Sequence, residues 1–297
     1  MGAPTSSVAG NAPVKPAPAP SNLAIRVLTA IIGVPGILAL LYLAPPWGFY
    51  LLVLPIALIG SSELFAMTHP KDRIAQGIGL ALSAIVSLAL YLEGHDPRVL
   101  ITLLVSLPML GPLITLLRLG DIQTAAMRAF AMGFGPLFVP ASLTLLAILR
   151  RGHLYPGAEL VGTEGPGFCV MSLMFAWFGD TGGYFAGRYL GKRKLYEAVS
   201  PKKTVAGALG GLGGSVVGAL MASLWYLPSV PLAHSIPLAL VAGALGQAGD
   251  LGESLIKRST GVKDSGAIVP GHGGILDRVD ALICTTVVVY LYALWIR

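Results

Sequence analysis

The sequence predicts an all-α, polytopic membrane protein with about nine transmembrane helices, and three observations predict it. Hydrophobic residues make up 55% of the 297 and charged ones only 11%, against roughly 25% charged in a soluble domain. Mean hydropathy is +0.76. The apolar residues also fall in runs of about 20, the length at which a helix crosses a bilayer.

Taken in order, residues 1–22 open the chain as an Ala/Pro/Ser-rich stretch that has no means of building a core, and they read as a disordered tail. The stretch lacks the basic, apolar, small-residue order of a cleaved signal peptide, so the first apolar helix is expected to be retained. Spans are expected at 24–44, 47–67, 75–92, 99–118, 129–149, 167–188, 204–227, 236–256 and 276–296. Lys and Arg gather in alternate connections, at 71–73, 188–203 and 257–263, while the other side holds only Arg98, Arg150, Arg151 and Arg297. The positive-inside rule then puts the N-terminus in the cytoplasm and the C-terminus outside. Residues 23–150 read as scaffold helices and 151–297 as the catalytic half, because most intramembrane charge lies in the latter. Cys169 and Cys284 sit in apolar runs and form neither a zinc nor a disulfide pattern. The net charge of +6 is spread over these connections, which argues against nucleic acid. The two richest, 188–203 and 257–278, carry more than orientation needs and suit a polyanionic ligand at the inner surface.

The candidate chemistry begins with Asp180, in GDTGGYFAGRYLG, and Asp250, in LGQAGDLGESLIKR, each inside an apolar run. A mid-helix carboxylate costs about 2.5–3.5 kcal/mol to insert, so each should face a cavity, a partner or a metal; an internal salt bridge is the structural alternative. Helical spacing aligns Gly246, Asp250, Glu253 or Ser254, and Lys257 on one face. Asp277 and Asp280 stand one turn apart at the start of the ninth helix, where a capping role suits one of them and Asp277 is the better candidate for chemistry. Asp250 and Asp277 on antiparallel neighbours would offer hard oxygens to Mg²⁺. Between these helices the stretch PGHGG contains His272, Gly273 and Gly274, whose backbone suits either a tight turn or an anion-binding nest. The pentapeptide SPKKT, Ser200 to Thr204, is expected to lead straight into the seventh helix, with Lys202 and Lys203 as triphosphate ligands or plain inner-face lysines. The helix it opens, TVAGALGGLGGSVVGAL, follows no predicted strand, so its glycines read as a packing surface rather than a nucleotide loop.

The stretch from Ser254 to Asp280, SLIKRSTGVKDSGAIVPGHGGILDRVD, closely resembles the motif of the phosphatidate cytidylyltransferases (CDP-diacylglycerol synthases). Its spaced Ser-x-x-Lys-Arg, Lys-Asp, His-Gly-Gly and Asp-Arg-x-Asp elements carry the likeness. GDTGGYFAGRYLGKRKL, SPKKT and RVLTAIIGVP are similar to the family's upstream segments. The resemblance implies transfer of CMP from CTP to phosphatidic acid in a lipid bilayer. It further implies Mg²⁺ with room for a second cation, a homodimer, and a bacterial inner membrane with the active site facing the cytoplasm. It maps Asp250 and Asp277 onto metal-binding carboxylates and makes Lys257, Arg258 and Arg278 catalytic with them. Substrate binding would fall to Asp180, Ser200, Lys202, Lys203, Thr204, Ser254, Lys263, Asp264, His272, Gly273, Gly274 and Asp280, with the Lys, Arg and His residues around the phosphates. Three positions depart from the family pattern. Ala206 stands where a Glu usually follows SPKKT, Ala281 where a Ser is common, and Gly183 where Ala is common.

Two other readings compete. A related lipid-phosphate nucleotidyltransferase or polyprenol kinase would share the polar cleft. An ion-coupled transporter would share the intramembrane acids, but it favours midplane sites and paired repeats, and the sequence shows no repeat.

Overall fold

A computed structural model describes residues 22–155, 157–268 and 273–296; the tail to residue 21, His272 and Arg297 lie outside the described residues. Residues up to Ile37 and those from Leu38 onward form two compact units. The described part of the first is the opening of helix α1 (Asn22–Leu43).

In the second unit α2 (Pro46–Thr68), α3 (Arg73–Glu93) and α4 (Pro97–Leu117) come first. Proline at the first turn of α2 and α4 suits the helix start, where its missing N–H is not needed. Asp72 caps α3 by accepting from Ala75 N at 3.0 Å, and Asp96 accepts from Arg98 N at 2.8 Å. Asp72 also takes a two-pronged grip from Arg118, at 2.7 and 2.8 Å. The guanidinium holds its carboxyl at about 2, below the usual range. Beside it, burial and the nearby Arg128 charge lower His69 to about 4.

Helices α5 (Ala125–Pro136) and α6 (Ser142–Arg151) are joined through a π-helical turn, Leu137–Ala141, that contains Pro140. Thr144 donates to Pro140 O at 2.6 Å and lies 2.7 Å from Ser87 Oγ, which is 3.2 Å from Tyr50 OH. This buried hydroxyl chain joins α2, α3 and α6 where water is scarce and each polar group needs a partner.

Then follow α7 (Glu164–Leu190), α8 (Val205–Met221), α9 (Leu232–Ser259) and α10 (Leu276–Ile296). Helices α7 and α8 meet backbone to backbone. A Cβ on Gly214 would strike Phe178 O, and one on Gly182 would strike Gly210 O. Close approach through small residues is how helices associate in lipid, and the glycine run of α8 serves that packing.

All nine expected stretches coincide with helix. Seven are long and apolar enough to cross a membrane among the described residues, the segment from Ile122 to Arg151 acting as one. The stretch at 167–188 is not among them; Asp180 and the glycines around it make α7 less apolar than the others. The described apolar part of the first helix, Ile31–Leu43, is short.

The fold is helical as expected, and two small antiparallel hairpins stand among the helices. One pairs β1 (His153–Tyr155) with β2 (Ala158–Glu159). The other pairs β3 (Lys194–Tyr196) with β4 (Ser200–Thr204). SPKKT therefore forms a strand, not a helix start. Pro201 tolerates an edge strand, and α8 begins only after Thr204, whose Oγ1 caps Gly207 N at 3.1 Å. A strand does precede the glycine helix, but it belongs to an isolated two-stranded hairpin and not to the βαβ unit that a dinucleotide fold requires.

Candidate active site

The β3–β4 hairpin stands at the end of α7 and presents its lysines toward α9. Lys203 Nζ lies 2.6 Å from Asp250 Oδ2. Around this pair is a cavity of about 340 Å³ whose lining includes Asp180, Lys202, Lys203, Thr204, Gln247 and Asp250. Its far wall is glycine, from Gly179, Gly183 and Gly187 of α7. The two basic connections meet here as well. Arg258, in the last turn of α9, donates to Val199 O in the hairpin turn at 3.4 Å and to Val262 O at 3.1 Å.

Deeper in, α9 and α10 bring three carboxylates together. Ligand atoms of Asp250, Glu253 and Asp280 lie within 4.8 Å of one another. Glu253 is 1% exposed and its Oε1 has no hydrogen-bond partner. A buried orphan oxygen beside two further carboxylates is costly without a cation, and hard oxygen donors are what Mg²⁺ takes. The donor set therefore fits that ion.

One turn along α9, Lys257 is buried between two acids. Its Nζ lies 2.5 Å from Glu253 Oε2 and 2.6 Å from Asp277 Oδ1. The other oxygen of Asp277 accepts from Ser265 N at 3.1 Å and Gly274 N at 2.9 Å. Asp277 thus folds the α9–α10 connection back onto its own helix start. Gly273, with φ +82°, makes the turn in the left-handed region that favours glycine. The two acids at the head of α10 divide their roles differently from the sequence expectation. Asp277 is engaged with Lys257 and two backbone amides, while Asp280 joins the acidic cluster.

The structure brings Asp180, Lys202, Lys203, Thr204 and Asp250 to one cavity, and joins Lys257, Asp277 and Gly274 in the ion and hydrogen-bond network of α9 and α10. Ser254 is buried on α9 and Ser200 pairs with Tyr196 in the hairpin. Lys263, Asp264, Arg258 and Arg278 are exposed and do not line the cavity. His272 lies outside the described residues. Sequence reasoning passed over Glu253 as a cluster member, although its spacing from Asp250 and Lys257 signals it. It also passed over Gln247, whose Nε2 donates to Ala208 O at 3.0 Å. Glu63 of α2 was missed too: it accepts from Ser265 Oγ, Ile275 N and Leu276 N, and a lone acid in an apolar run was its only signal.

A membrane-length helical chain that gathers lysines and an acidic trio at one end defines a membrane-embedded protein built to handle phosphate groups. The chain belongs to the cytidylyltransferase family, whose model matches residues 24–296. It is 33% identical over 288 residues to a phosphatidate cytidylyltransferase of Synechocystis sp., covering 90% of this chain and 95% of the relative. Against the Staphylococcus aureus protein of that name identity is 31% over 268 residues, covering 87% and 94%. Against the Brucella suis one it is 37% over 181 residues, covering 56% and 66%.

Proposed function

We propose that the chain transfers CMP from CTP to phosphatidic acid, giving CDP-diacylglycerol and pyrophosphate. The observation that carries this reading is the approach of the basic hairpin to the acidic trio across one cavity, at Lys203 and Asp250. Such a site holds a triphosphate and a cation side by side.

The nucleophile is a phosphate oxygen of the lipid. It is already anionic, so no strong general base is needed. It forms a bond to the α-phosphorus of CTP as the bond from that phosphorus to the bridging oxygen of pyrophosphate breaks. The barrier lies in bringing anions together and in the charge on the leaving group, and fixed positive groups lower it. Lys202 and Lys203 face the cavity and bind the triphosphate. Lys257 bridges Glu253 and Asp277 and holds the head of α10 in place. Asp250, Glu253 and Asp280 would hold Mg²⁺, which when bound polarises the phosphoryl oxygens and offsets the charge that develops. Asp277, the other carboxylate the family resemblance assigns to metal, is linked to that group through Lys257, which lies between it and Glu253. Arg258, Lys263 and Arg278 stand at the helix ends and on the connection and serve the lipid phosphate, a role the family resemblance extends to His272.

The bias of Lys and Arg supports an N-terminus and a site on the cytoplasmic side, and the bacterial relatives support an inner-membrane location. Family resemblance supports a homodimer. The test gives purified protein phosphatidic acid, Mg²⁺ and CTP labelled at the α- or the γ-phosphate. Label from the α position should enter the lipid. Entry from the γ position would mean a kinase, and equal use of ATP would remove CTP from the account.

A further inference from the structure

The α9–α10 connection carries much of the family motif, and both of its described ends are tied to carboxylates. One is Asp277, a local group on α10. The other is Glu63, which comes from α2, some 200 residues earlier in sequence. Glu63 is 5% exposed. Its Oε2 accepts from Ser265 Oγ at 3.0 Å and Leu276 N at 2.8 Å, and its Oε1 accepts from Ile275 N at 3.0 Å.

Ile275 and Leu276 supply N–H groups at the opening of α10, where a helix leaves its first donors without partners of its own. A carboxylate there satisfies them and is favoured by the helix dipole. Here the cap is delivered by another helix. The sequence also leaves space for it. A Cβ on Gly266 would lie 2.5 Å from Glu63 Oε1; one on Gly274 would lie 2.5 Å from Glu63 Oε2 and would also strike Ser265 Oγ. A cap alone would need only the helix amides. Glu63 also takes Ser265, in the described part of the connection that follows α9, and so ties that part to the opening of α10. That tie fixes where α10 starts, and with it the placement of Asp277 beside Lys257 and of Asp280 beside Asp250.

We infer that Glu63 is a positioning residue for the phosphate-transfer site, setting the register of α10 and its connection against α9 without touching substrate. The inference rests on the reading of function above. The test uses full-length purified Glu63→Gln, Glu63→Asp and Ser265→Ala with the labelled-CTP assay. Amide hydrogen exchange at Ile275 and Leu276 is the second readout. Gln keeps the shape but turns one acceptor into a donor facing donors. In Glu63→Gln, kcat and kcat/KM should fall together on the order of a hundredfold, as for a misplacement near one ångström, with faster exchange at both amides. Glu63→Asp keeps the charge and should recover part of both. Ser265→Ala removes one of three donors and should shift both in the same direction by less; it decides the matter if Glu63→Gln fails to fold. Faster exchange with wild-type kcat would reduce Glu63 to a structural cap and overturn the inference, as would unchanged exchange. A wild-type protein that makes no liponucleotide overturns the functional reading instead, and the exchange arm still decides whether Glu63 holds the segment.

Discussion

Replacing Lys257 by Met is the sharpest perturbation of the ion network. The ammonium is 10% exposed and lies within 2.6 Å of two carboxylates whose side chains are 1% and 8% exposed. Removing it leaves Glu253 and Asp277 buried, charged and mutually repelling. Breaking a buried pair in this way costs about 3–5 kcal/mol. Asp277 keeps two backbone donors from Ser265 and Gly274, so most of the penalty should fall on Glu253, whose Oε1 has no hydrogen-bond partner. The double variant Lys257→Met/Glu253→Gln removes that second charge and should return to within about 1–2 kcal/mol of wild type, since buried pairs replaced together are often near neutral. Equilibrium unfolding in detergent measures all three proteins, and the labelled-CTP assay is run beside it. Stability should fall and then recover, while turnover stays lost in both variants. A single variant as stable as wild type, or a double variant no better than the single, would refute the pairing drawn here. Recovered turnover in the double variant would remove both residues from the site.

Three further outcomes follow from the geometry. Asp250→Asn should abolish turnover in a folded protein, and Asp280→Asn should raise the Mg²⁺ concentration needed for half-maximal rate; an unchanged metal requirement in Asp280→Asn would take it out of the donor set. Gly214→Ala places a methyl against Phe178 O and should destabilise by about 1–3 kcal/mol or more, read as a lower unfolding midpoint in detergent. Acidification should weaken the α2–α3 connection. His69 sits at about 4 and Asp72 at about 2, below their ordinary values near 6.5 and 3.9. The unfolded chain therefore binds more protons, and stability present above pH ~6.5 declines as pH falls toward 4, and further toward 2. His69→Gln should flatten the upper part of that slope, and an unchanged profile would contradict its burial as the neutral form.

The helical stretches were legible because hydropathy over a bilayer-length window is a strong signal. The stripe Asp250, Glu253, Lys257 was legible because helical period fixes which side chains share a face. The β3–β4 hairpin was not. SPKKT has no alternation of apolar and polar residues, and its strand exists only because Lys194–Tyr196 lies beside it. The division between Asp277 and Asp280 was hidden for a related reason. Both are acids in the first turns of one helix, and only the fold of the connection shows which one meets backbone amides. Glu63 was the hardest to read, since its partners stand more than 200 positions away and nothing local announces them.

The seam between α7 and α8 has a consequence for the cavity beside it. Where two helices touch through carbonyls and α-carbons, no side chain remains to be trimmed, so mutation there can only add bulk. At Gly182 and Gly214, where the clash would be with backbone, that seam cannot be tuned by degrees. What the cavity admits is set instead where its lining carries side chains with length to give up, such as Gln247 and Lys202.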